Sequence, residues 1–297
     1  MLLKLLKVNI QLKEVKKLKT SNLIVEKKKL AYGIHMFWIE NELVANNAKA
    51  GQFVIFRIHE NGERIPLTIA GVKDGTFRVI VKAVGKSTYE LCRFEKGDKI
   101  IDIVGPLGQP SEIKNYGNVL VIGGGVGIAT IIPIVKELKN HRNRVDVILA
   151  ARNKDYFVLE EEFKEVDNLY FVTNDGSRGM KGYAHEMMEK LLKKKKYDIS
   201  WAIGPSLMMK ACSEVAKKYD LKIWVSLNAI MVDGTGMCGG CRVRISDELK
   251  YTCVDGPEFD GRLVDWESFN TRLIQYKEEE KLALEKYLEK VGEPTWL

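Results

Sequence analysis

Four potential metal ligands are grouped near the carboxyl end of the chain, around a glycine-rich stretch. Asp233 precedes Cys238 and Cys241 in the sequence Asp-Gly-Thr-Gly-Met-Cys-Gly-Gly-Cys, and Cys253 follows. Three of the chain's five cysteines lie within residues 233–253. Glycines let the backbone curl closely around an inorganic core and aim its amides at the sulfurs. The spacing therefore predicts a metal or iron–sulfur site.

A [2Fe-2S] cluster is the occupant that this pattern favours. The cluster needs four protein ligands, and the local cysteines supply three. Asp233 is the candidate for the fourth, because four residues separate it from Cys238 as in a Cys-x4-Cys-x2-Cys pattern. A carboxylate forms a harder, less covalent bond to iron than a thiolate does, which should shift the potential. A structural zinc site with the same four ligands is the alternative.

Composition limits the class of protein. The chain has 297 residues, about twice the usual domain length, which predicts two domains and a small cysteine module. Hydrophobic residues make up 45% of the sequence and charged residues 29%, as in a soluble globular protein. The net charge of +7 comes from 47 basic residues offset by 40 acidic ones, without the aromatic interleaving typical of nucleic-acid binding. We expect no nucleic-acid partner.

The cysteines and the apolar segments indicate the cellular location. Cys92 and Cys212 lie far from the cysteine loop and are expected to be free thiols, as in a reducing cytoplasm. The amino terminus is too short and too rich in lysine for a signal peptide. Glycines interrupt the apolar stretch 118–135 after a strand's length, so we expect no membrane span.

Residues 22–112 show short β-rich runs separated by turn residues, which predicts an all-β antiparallel barrel. The runs are 23–26, 35–40, 52–58, 76–84 and 98–104. Between the third and fourth runs, Arg64 and Thr68 bracket a proline-fixed extended stretch. A later Gly85-Lys-Ser87-Thr88 is predicted to begin a helix, where an anionic pyrophosphate would be favoured. Each stretch alone could be an ordinary structural arginine or a helix cap.

Residues 113–225 are predicted to form an α/β domain with a parallel sheet. A buried strand at 118–122 runs into the turn Gly123-Gly-Gly-Val-Gly127 and an apolar helix, and three further strands follow at 144–150, 168–173 and 197–204. The dinucleotide fingerprint is imperfect, since counting from Gly125 gives Gly-x-Gly-x-x-Thr. Nucleotide binding at the carboxyl edge of the sheet is predicted, with a flavodoxin-like sheet lacking nicotinamide as the alternative.

The order of barrel, nucleotide sheet and cysteine module along the chain resembles that of the ferredoxin-reductase-like flavoproteins. Arg64-x-Pro-x-Thr68 is similar to their flavin motif. The loop from Met231 to Arg242 and the stretch that follows Cys253 resemble the small (alpha) subunit of NADH-dependent ferredoxin:NADP oxidoreductase, also described as a sulfide dehydrogenase subunit. The electron-transfer subunit of dihydroorotate dehydrogenase is similar in layout but has cysteine where Asp233 stands.

The resemblance implies a set of binding residues. The implied FAD contacts are Arg64, Pro66, Leu67, Thr68, Gly85, Lys86, Ser87 and Thr88. The implied NAD(P) contacts are Gly124, Gly125, Val126, Gly127, Ile128, Arg152, Asp175, Gly204, Pro205 and Met208. The implied cluster ligands are Asp233, Cys238, Cys241 and Cys253. Many single-chain relatives place a cysteine before the Gly-Pro, where this chain has Ile203, so no catalytic acid or base is assigned.

The resemblance also implies a function. Such a subunit moves hydride between NAD(P)H and FAD and single electrons between FAD and the [2Fe-2S] cluster, and it reaches ferredoxin through a larger flavin and iron–sulfur subunit. Alternatives are an electron-transfer subunit of a dihydroorotate dehydrogenase or of a sulfide or polysulfide reductase, and a zinc-stabilised nucleotide-binding scaffold. NAD and NADP are both open, because Arg152 and Lys154 suit a 2′-phosphate and Asp155 suits a free ribose.

The expected divisions of the chain follow from these motifs. They are an extension at 1–21, an FAD barrel at 22–112, an NAD(P) domain at 113–225, a cluster module at 226–265 and a carboxyl-terminal helix at 266–297. We expect the extension to be a strand packed on the barrel. The charged helix from Leu273 to Lys290 is either a cap on the chain's own core or a docking element for a partner.

Overall fold

The first part of the described chain forms an antiparallel barrel. The computed structural model describes residues 20–296, so the predicted strand at 1–21 lies almost wholly outside the described residues. The elements of this part are β1 (Leu23–Ala31), β2 (Ile34–Glu40), α1 (Glu42–Asn47), β3 (Phe53–Arg57), β4 (Arg64–Thr68), β5 (Gly71–Lys73), β6 (Thr76–Lys82), α2 (Lys86–Arg93) and β7 (Asp102–Leu107). Each of the five predicted runs overlaps a strand. The last begins later than predicted, because the Asp98 carboxylate instead caps a turn at the amide of Glu95, 2.7 Å away.

Two antiparallel sheets make up the barrel, in the orders β1-β2-β6-β5 and β4-β3-β7. Alternate side chains point inward, and the fully buried rings of Phe37, Phe56 and Phe77 fill the space between the sheets. The rings of Phe56 and Phe77 meet edge to face at 6.2 Å. Helix α2 packs on the barrel core through Leu91 and Cys92.

A mainly parallel sheet with helices on both faces follows. Its elements are β8 (Asn118–Gly124), α3 (Gly127–Thr130), α4 (Ile132–Asn140), β9 (Arg144–Ala151), β10 (Asn168–Thr173), β11 (Met180–Lys181), α5 (Ala184–Leu192), β12 (Ile199–Ile203), α6 (Ser206–Lys218) and β13 (Ile223–Ser226). The strands lie in the order β11-β10-β9-β8-β12-β13. Along β8, Val119 and Val121 pack in one core cluster and Leu120 and Ile122 in another, so both faces are buried. No helix in residues 20–296 is long and apolar enough to cross a membrane.

The cysteine region and the last helices complete the fold. They comprise β14 (Arg242–Ile245), β15 (Glu248–Tyr251), β16 (Glu258–Asp260), α7 (Trp266–Leu273) and α8 (Lys277–Val291). Strand β16 pairs antiparallel with β13, so this region contributes an edge strand to the large sheet. The helix predicted from Leu273 to Lys290 corresponds to α8, which begins later, at Lys277, and the division predicted at 266–297 holds a second helix, α7. Trp266 and Phe269 anchor α7 in the core near β14, whereas α8 packs on α2, and a break at 274–276 separates them.

Candidate functional site

The predicted thiol ligands come together in the loops around β14 and β15. Cys241 and Cys253 are buried, with their Sγ atoms 3.2 Å apart, and Cys238 is exposed. The amide of Gly240 points at Cys238 Sγ and the amide of Cys253 at Cys241 Sγ, each at 3.4 Å. The loop therefore gathers sulfur ligands and aims backbone donors at them.

Asp233 lies in the same loop and is held in place by backbone amides. Its Oδ1 accepts from Thr235 N at 2.7 Å and its Oδ2 from Cys238 N at 2.5 Å. The Thr235 amide, followed by that of Cys238, holds the pKa of Asp233 below its usual range despite some desolvation. Each carboxylate oxygen keeps a second lone pair, so Asp233 is an ionised group that can still bind a metal.

These four side chains suit a binuclear core better than a single ion. The thiols of Cys241 and Cys253 form one close pair, and the Asp233 carboxylate lies next to Cys238, whose backbone amide donates to it. A [2Fe-2S] core takes two protein ligands on each iron, so the arrangement fits that group.

The two predicted flavin stretches lie on neighbouring elements. Arg64 begins the edge strand β4, is exposed, and has no ion pair or hydrogen bond from its side chain within residues 20–296. Helix α2 begins at Lys86, as predicted, and Ser87 Oγ donates to the carboxylate of Glu63, the residue before Arg64. A side chain at Gly85 would meet no atom within 4 Å, so there is open space at this helix start. Both stretches thus face a place where a diphosphate could lie.

The Thr88 side chain stabilises the turn at the same helix start. Its Oγ1 accepts from the amides of Val84 at 2.9 Å and Gly85 at 3.0 Å, and donates to Gly85 O at 2.9 Å. The hydroxyl is therefore committed to shaping the turn into α2. A direct contact from Thr88 to the flavin stays a prediction.

A crevice of about 460 Å³ opens where the carboxyl ends of β8 and β9 meet the barrel. Six of the predicted nucleotide contacts line it: Gly124, Gly125, Val126, Arg152, Pro205 and Met208. Gly125 adopts a φ of 58° while its amide bonds to Ala150 O at 2.9 Å, a conformation that favours glycine. The crevice has the size and position expected for a dinucleotide at the switch point of an α/β sheet.

The other four predicted nucleotide contacts do not line the crevice. A side chain on Gly127 would come within 2.1 Å of Ile203 O, so this glycine is needed for close packing of the turn against β12. Gly204 packs against Gly124 in the same way, and Ile128 is fully buried. Asp175 turns its carboxylate back to the amide of Ser177 at 2.9 Å. Contacts from these residues to a nucleotide stay predictions.

The sequence did not mark several crevice residues. They include Ile34, Lys82, Tyr156, Asn174 and His185. Ile34 and Lys82 come from the paired barrel strands β2 and β6 and bring the barrel to the nucleotide turn. The only signal for Lys82 was its place at the end of a predicted strand, three residues before Gly85.

The crevice is electropositive. Its lining includes Lys82, Arg152 and His185 but no aspartate or glutamate. Burial, followed by the charge of Arg152, lowers the pKa of Lys82. Lys82 Nζ lies 5.7 Å from the ring of Tyr156 and has no ion pair within the described chain. Two uncompensated cations from two domains favour an anionic ligand such as a phosphate.

A larger groove of about 910 Å³ lies elsewhere, along Trp38, Arg78 and Lys136. Its buried cation is already neutralised, because Arg78 Nη1 lies 2.7 Å from Glu162 Oε1, and Lys136 pairs with the same carboxylate. The groove is also separate from the glycine turn. Its size alone therefore does not make it the nucleotide site.

Known proteins resemble this chain over most of its length. Residues 228–265, which hold all four candidate ligands, match the iron–sulfur cluster binding domain of dihydroorotate dehydrogenase B. A dihydroorotate dehydrogenase B (NAD(+)) electron transfer subunit homolog from Thermotoga maritima is 54% identical over 274 residues, 92% of this chain and 97% of that protein. The corresponding electron transfer subunit of Clostridium perfringens is 31% identical over 82% of this chain and 96% of its own length.

A solved structure agrees with these relatives. A chain from the NADH-dependent reduced ferredoxin-NADP oxidoreductase, determined in a study of flavin-based electron bifurcation, is 53% identical. It covers 91% of this chain and 99% of its own length, with a TM-score of 0.86. The predicted architecture of flavin barrel, nucleotide sheet and carboxyl-terminal cluster region is thus confirmed.

Proposed function

The chain belongs to the family of dihydroorotate dehydrogenase B electron-transfer subunits and their homologues, and on that premise we propose that it is the NAD(P)H-dependent subunit of a ferredoxin:NADP oxidoreductase. It is an oxidoreductase subunit with FAD and a [2Fe-2S] cluster as its resident groups. Bound FAD supplies hydride exchange with nicotinamide, and a bound [2Fe-2S] cluster supplies single-electron transfer. The chain's own residues bind and orient these groups and the nucleotide.

The electropositive crevice between barrel and sheet is the observation that carries this function. Lys82 from the barrel and Arg152 from the sheet face one space, which opens beside the glycine turn. Helix α2 begins four residues after Lys82, so the proposed flavin and nucleotide sites are adjacent in the chain and in the fold. We assign phosphate binding to Lys82 and Arg152, and flavin diphosphate binding to Arg64 and the amides at the start of α2.

The cluster loop supplies the second half of the activity. We propose that Asp233 and Cys238 ligate one iron and that Cys241 and Cys253 ligate the other. In the first pair Cys238 is exposed and Asp233 half-buried, whereas both cysteines of the second pair are buried. An exposed edge on one iron gives electrons a short route to a partner, while the buried edge faces the protein.

A second function, electron transfer to a dihydroorotate dehydrogenase, is kept because relatives carry that name. Asp233 favours the ferredoxin:NADP enzyme, since the resembling dihydroorotate dehydrogenase loop has cysteine there. The two proposed enzymes differ in the larger subunit with which this chain would assemble. Dihydroorotate-dependent reduction of NAD by the complex would support the second function.

We also propose a cytoplasmic location and functional divisions of the chain. All five cysteines are free, as expected in a reducing compartment. The proposed divisions are the FAD barrel at 22–112, the NAD(P) domain at 113–225 and the cluster module at 226–265. The β16 pairing favours a module that folds with the nucleotide domain rather than alone.

Spectroscopy of the purified chain tests this function. We expect visible absorption from flavin and from iron–sulfur, and bleaching of both on anaerobic addition of NADH or NADPH. Iron and sulfide should each be present at about two atoms per chain, as the [2Fe-2S] composition requires. Zinc in place of iron, or a flavin that NAD(P)H does not bleach, would contradict the proposal.

A further inference from the structure

The last twenty residues of the described chain lie along helix α2. Helix α8 packs on α2. At its first turn, burial and then the charges of Glu63 and Glu279 raise the pKa of Glu280, and Glu63 is also the residue to which Ser87 donates. Further along, the guanidinium of Arg93 lies 5.8 Å from the ring of Tyr287 and donates to Gly292 O. The segment thus packs on α2 and contacts its last residue, Arg93.

Trp296 anchors the end of this segment in the barrel. Its ring meets the buried His35 ring edge to face at 4.9 Å and lies 5.8 Å from the ring of Tyr89 on α2. Burial, followed by the charges of Lys27 and Lys29, lowers the pKa of His35 to about 4, so this ring is neutral at pH 7. Trp296 therefore packs between a barrel strand and α2 through contacts with two uncharged aromatic rings.

Helix α2 needs such support because it is short. It has eight residues, and a helix of this length has little stability of its own. Only one face, with Leu91 and Cys92, is buried on the barrel. The segment from α8 to Trp296 contacts it on a second side, and Tyr89 lies within one turn of Ser87 and Thr88 at the proposed diphosphate site.

We propose that α8 and Trp296 form a clasp that positions α2 for the flavin diphosphate, with Trp296 as a positioning residue that does not touch the cofactor. The inference rests on the proposed flavin site at the start of α2. It decides between the two predicted roles of the carboxyl-terminal helix in favour of packing on the chain's own core. Its consequence is that flavin retention depends on a side chain more than 200 residues from the flavin motif in sequence.

The test compares variants of the full-length chain purified alone, in which FAD per iron and the rate of FAD release are measured. Trp296→Ala should release FAD about tenfold faster, because it removes two aromatic contacts that hold α2. Trp296→Phe should restore most of the retention. Tyr287→Ala removes the ring over Arg93 and should show a smaller loss in the same direction, which supplies a second probe should Trp296→Ala not fold. Tyr276→Ala, at a half-exposed ring outside the clasp, is the matched control.

Four outcomes discriminate between the claims. Faster FAD release with an unchanged iron–sulfur spectrum supports the clasp. Normal retention in Trp296→Ala, together with flavin loss in Arg64→Ala, overturns the clasp and leaves the flavin site standing. Normal retention in both variants overturns the flavin site, and with it the clasp. Parallel loss of flavin and iron in Trp296→Ala would show a general folding role and would also overturn the positioning claim.

Discussion

Substitutions of Asp233 test the proposed ligation of the cluster most directly. Asp233→Cys should keep a cluster but shift its visible and paramagnetic spectra and lower its reduction potential, because a thiolate donates more electron density to iron. Asp233→Ala should weaken cluster retention. Iron and sulfide content, together with a redox titration, measure both effects.

The hydrogen bonds of Asp233 call for a control. Its carboxylate also fixes the loop through the amides of Thr235 and Cys238, so the alanine variant removes more than a ligand. Asp233→Asn keeps an oxygen that can accept from Thr235 N but loses the anionic charge. We expect Asn to retain the loop and still lose iron more readily. Wild-type iron content, spectrum and potential in both Ala and Asn variants would mean that Asp233 is not a ligand.

Lys82 lines the nucleotide crevice but belongs to none of the motifs recognised in the sequence. Lys82→Ala should raise the KM for the pyridine nucleotide roughly tenfold to a hundredfold, since a lost charge-assisted contact costs about 1.5 to 3 kcal/mol. A rise for NADPH alone would place Lys82 at the 2′-phosphate, and a rise for both nucleotides would place it at the diphosphate. Lys73→Ala, an exposed lysine of the barrel outside the crevice, is the control. An unchanged KM for both nucleotides would remove Lys82 from the site.

At the scale of elements, Glu258 joins three parts of the chain. On β16, it accepts from Ser111 Oγ at 2.8 Å, in the connection after the barrel, and from Trp201 Nε1 on β12 at 3.1 Å. Burial raises the pKa of Glu258 to about 7, and the hydrogen bonds from Ser111 and Trp201 only partly oppose this. The folded chain therefore favours a protonated carboxyl at the junction of barrel, sheet and cluster region.

This shift predicts a pH-dependent stability. The folded pKa lies above the ordinary value, so the contribution is complete below about pH 4.5 and is lost as the pH rises through 7. Glu258→Gln cannot ionise, and its amide oxygen can accept from Trp201 Nε1 while its NH2 donates to Ser111 Oγ. Its unfolding free energy relative to wild type should therefore rise by at most about 3 kcal/mol between pH 4.5 and pH 8. Urea unfolding at the two pH values measures this. Glu214→Gln, at an exposed carboxylate of α6, should show no such trend.

Local patterns predicted most elements, and contacts between elements account for what they missed. The strands β8 and β9 and the start of α2 were predictable because their apolar runs, glycines and hydroxyls act within a few residues. The break between α7 and α8 was not, because it depends on which distant surfaces Phe269 and Tyr287 reach. Gly127 shows the same limit at the site: its glycine identity was visible, but its close approach to Ile203 O depends on β12.

At the scale of the whole molecule, the redox groups assigned to this chain require a partner subunit. Each hydride brings two electrons, the cluster passes one electron at a time, and the family to which the chain belongs is one of electron-transfer subunits. Expressed alone, the chain should reduce artificial dyes with NAD(P)H but fail to couple NADH and NADP to ferredoxin. Co-expression with a larger flavin and iron–sulfur subunit should restore coupling. Efficient ferredoxin-coupled turnover by the isolated chain would contradict this.

The surface beside the cluster loop predicts where that partner binds. Met237 is 84% exposed, Val232 50% and Val254 39%, and together with the exposed Cys238 they form an apolar area at the proposed outer iron. Apolar side chains gathered in this way mark interaction surfaces, and a charge placed in such an interface costs about 1 to 3 kcal/mol.

Met237→Glu should therefore weaken subunit association, and with it coupled turnover, about tenfold or more, while dye reduction and the cluster spectrum stay as in wild type. Val72→Glu, at a similarly exposed apolar residue of the barrel, should do neither. Undiminished association of the Met237→Glu chain with the larger subunit would place the interface, and the exit of electrons, on another face.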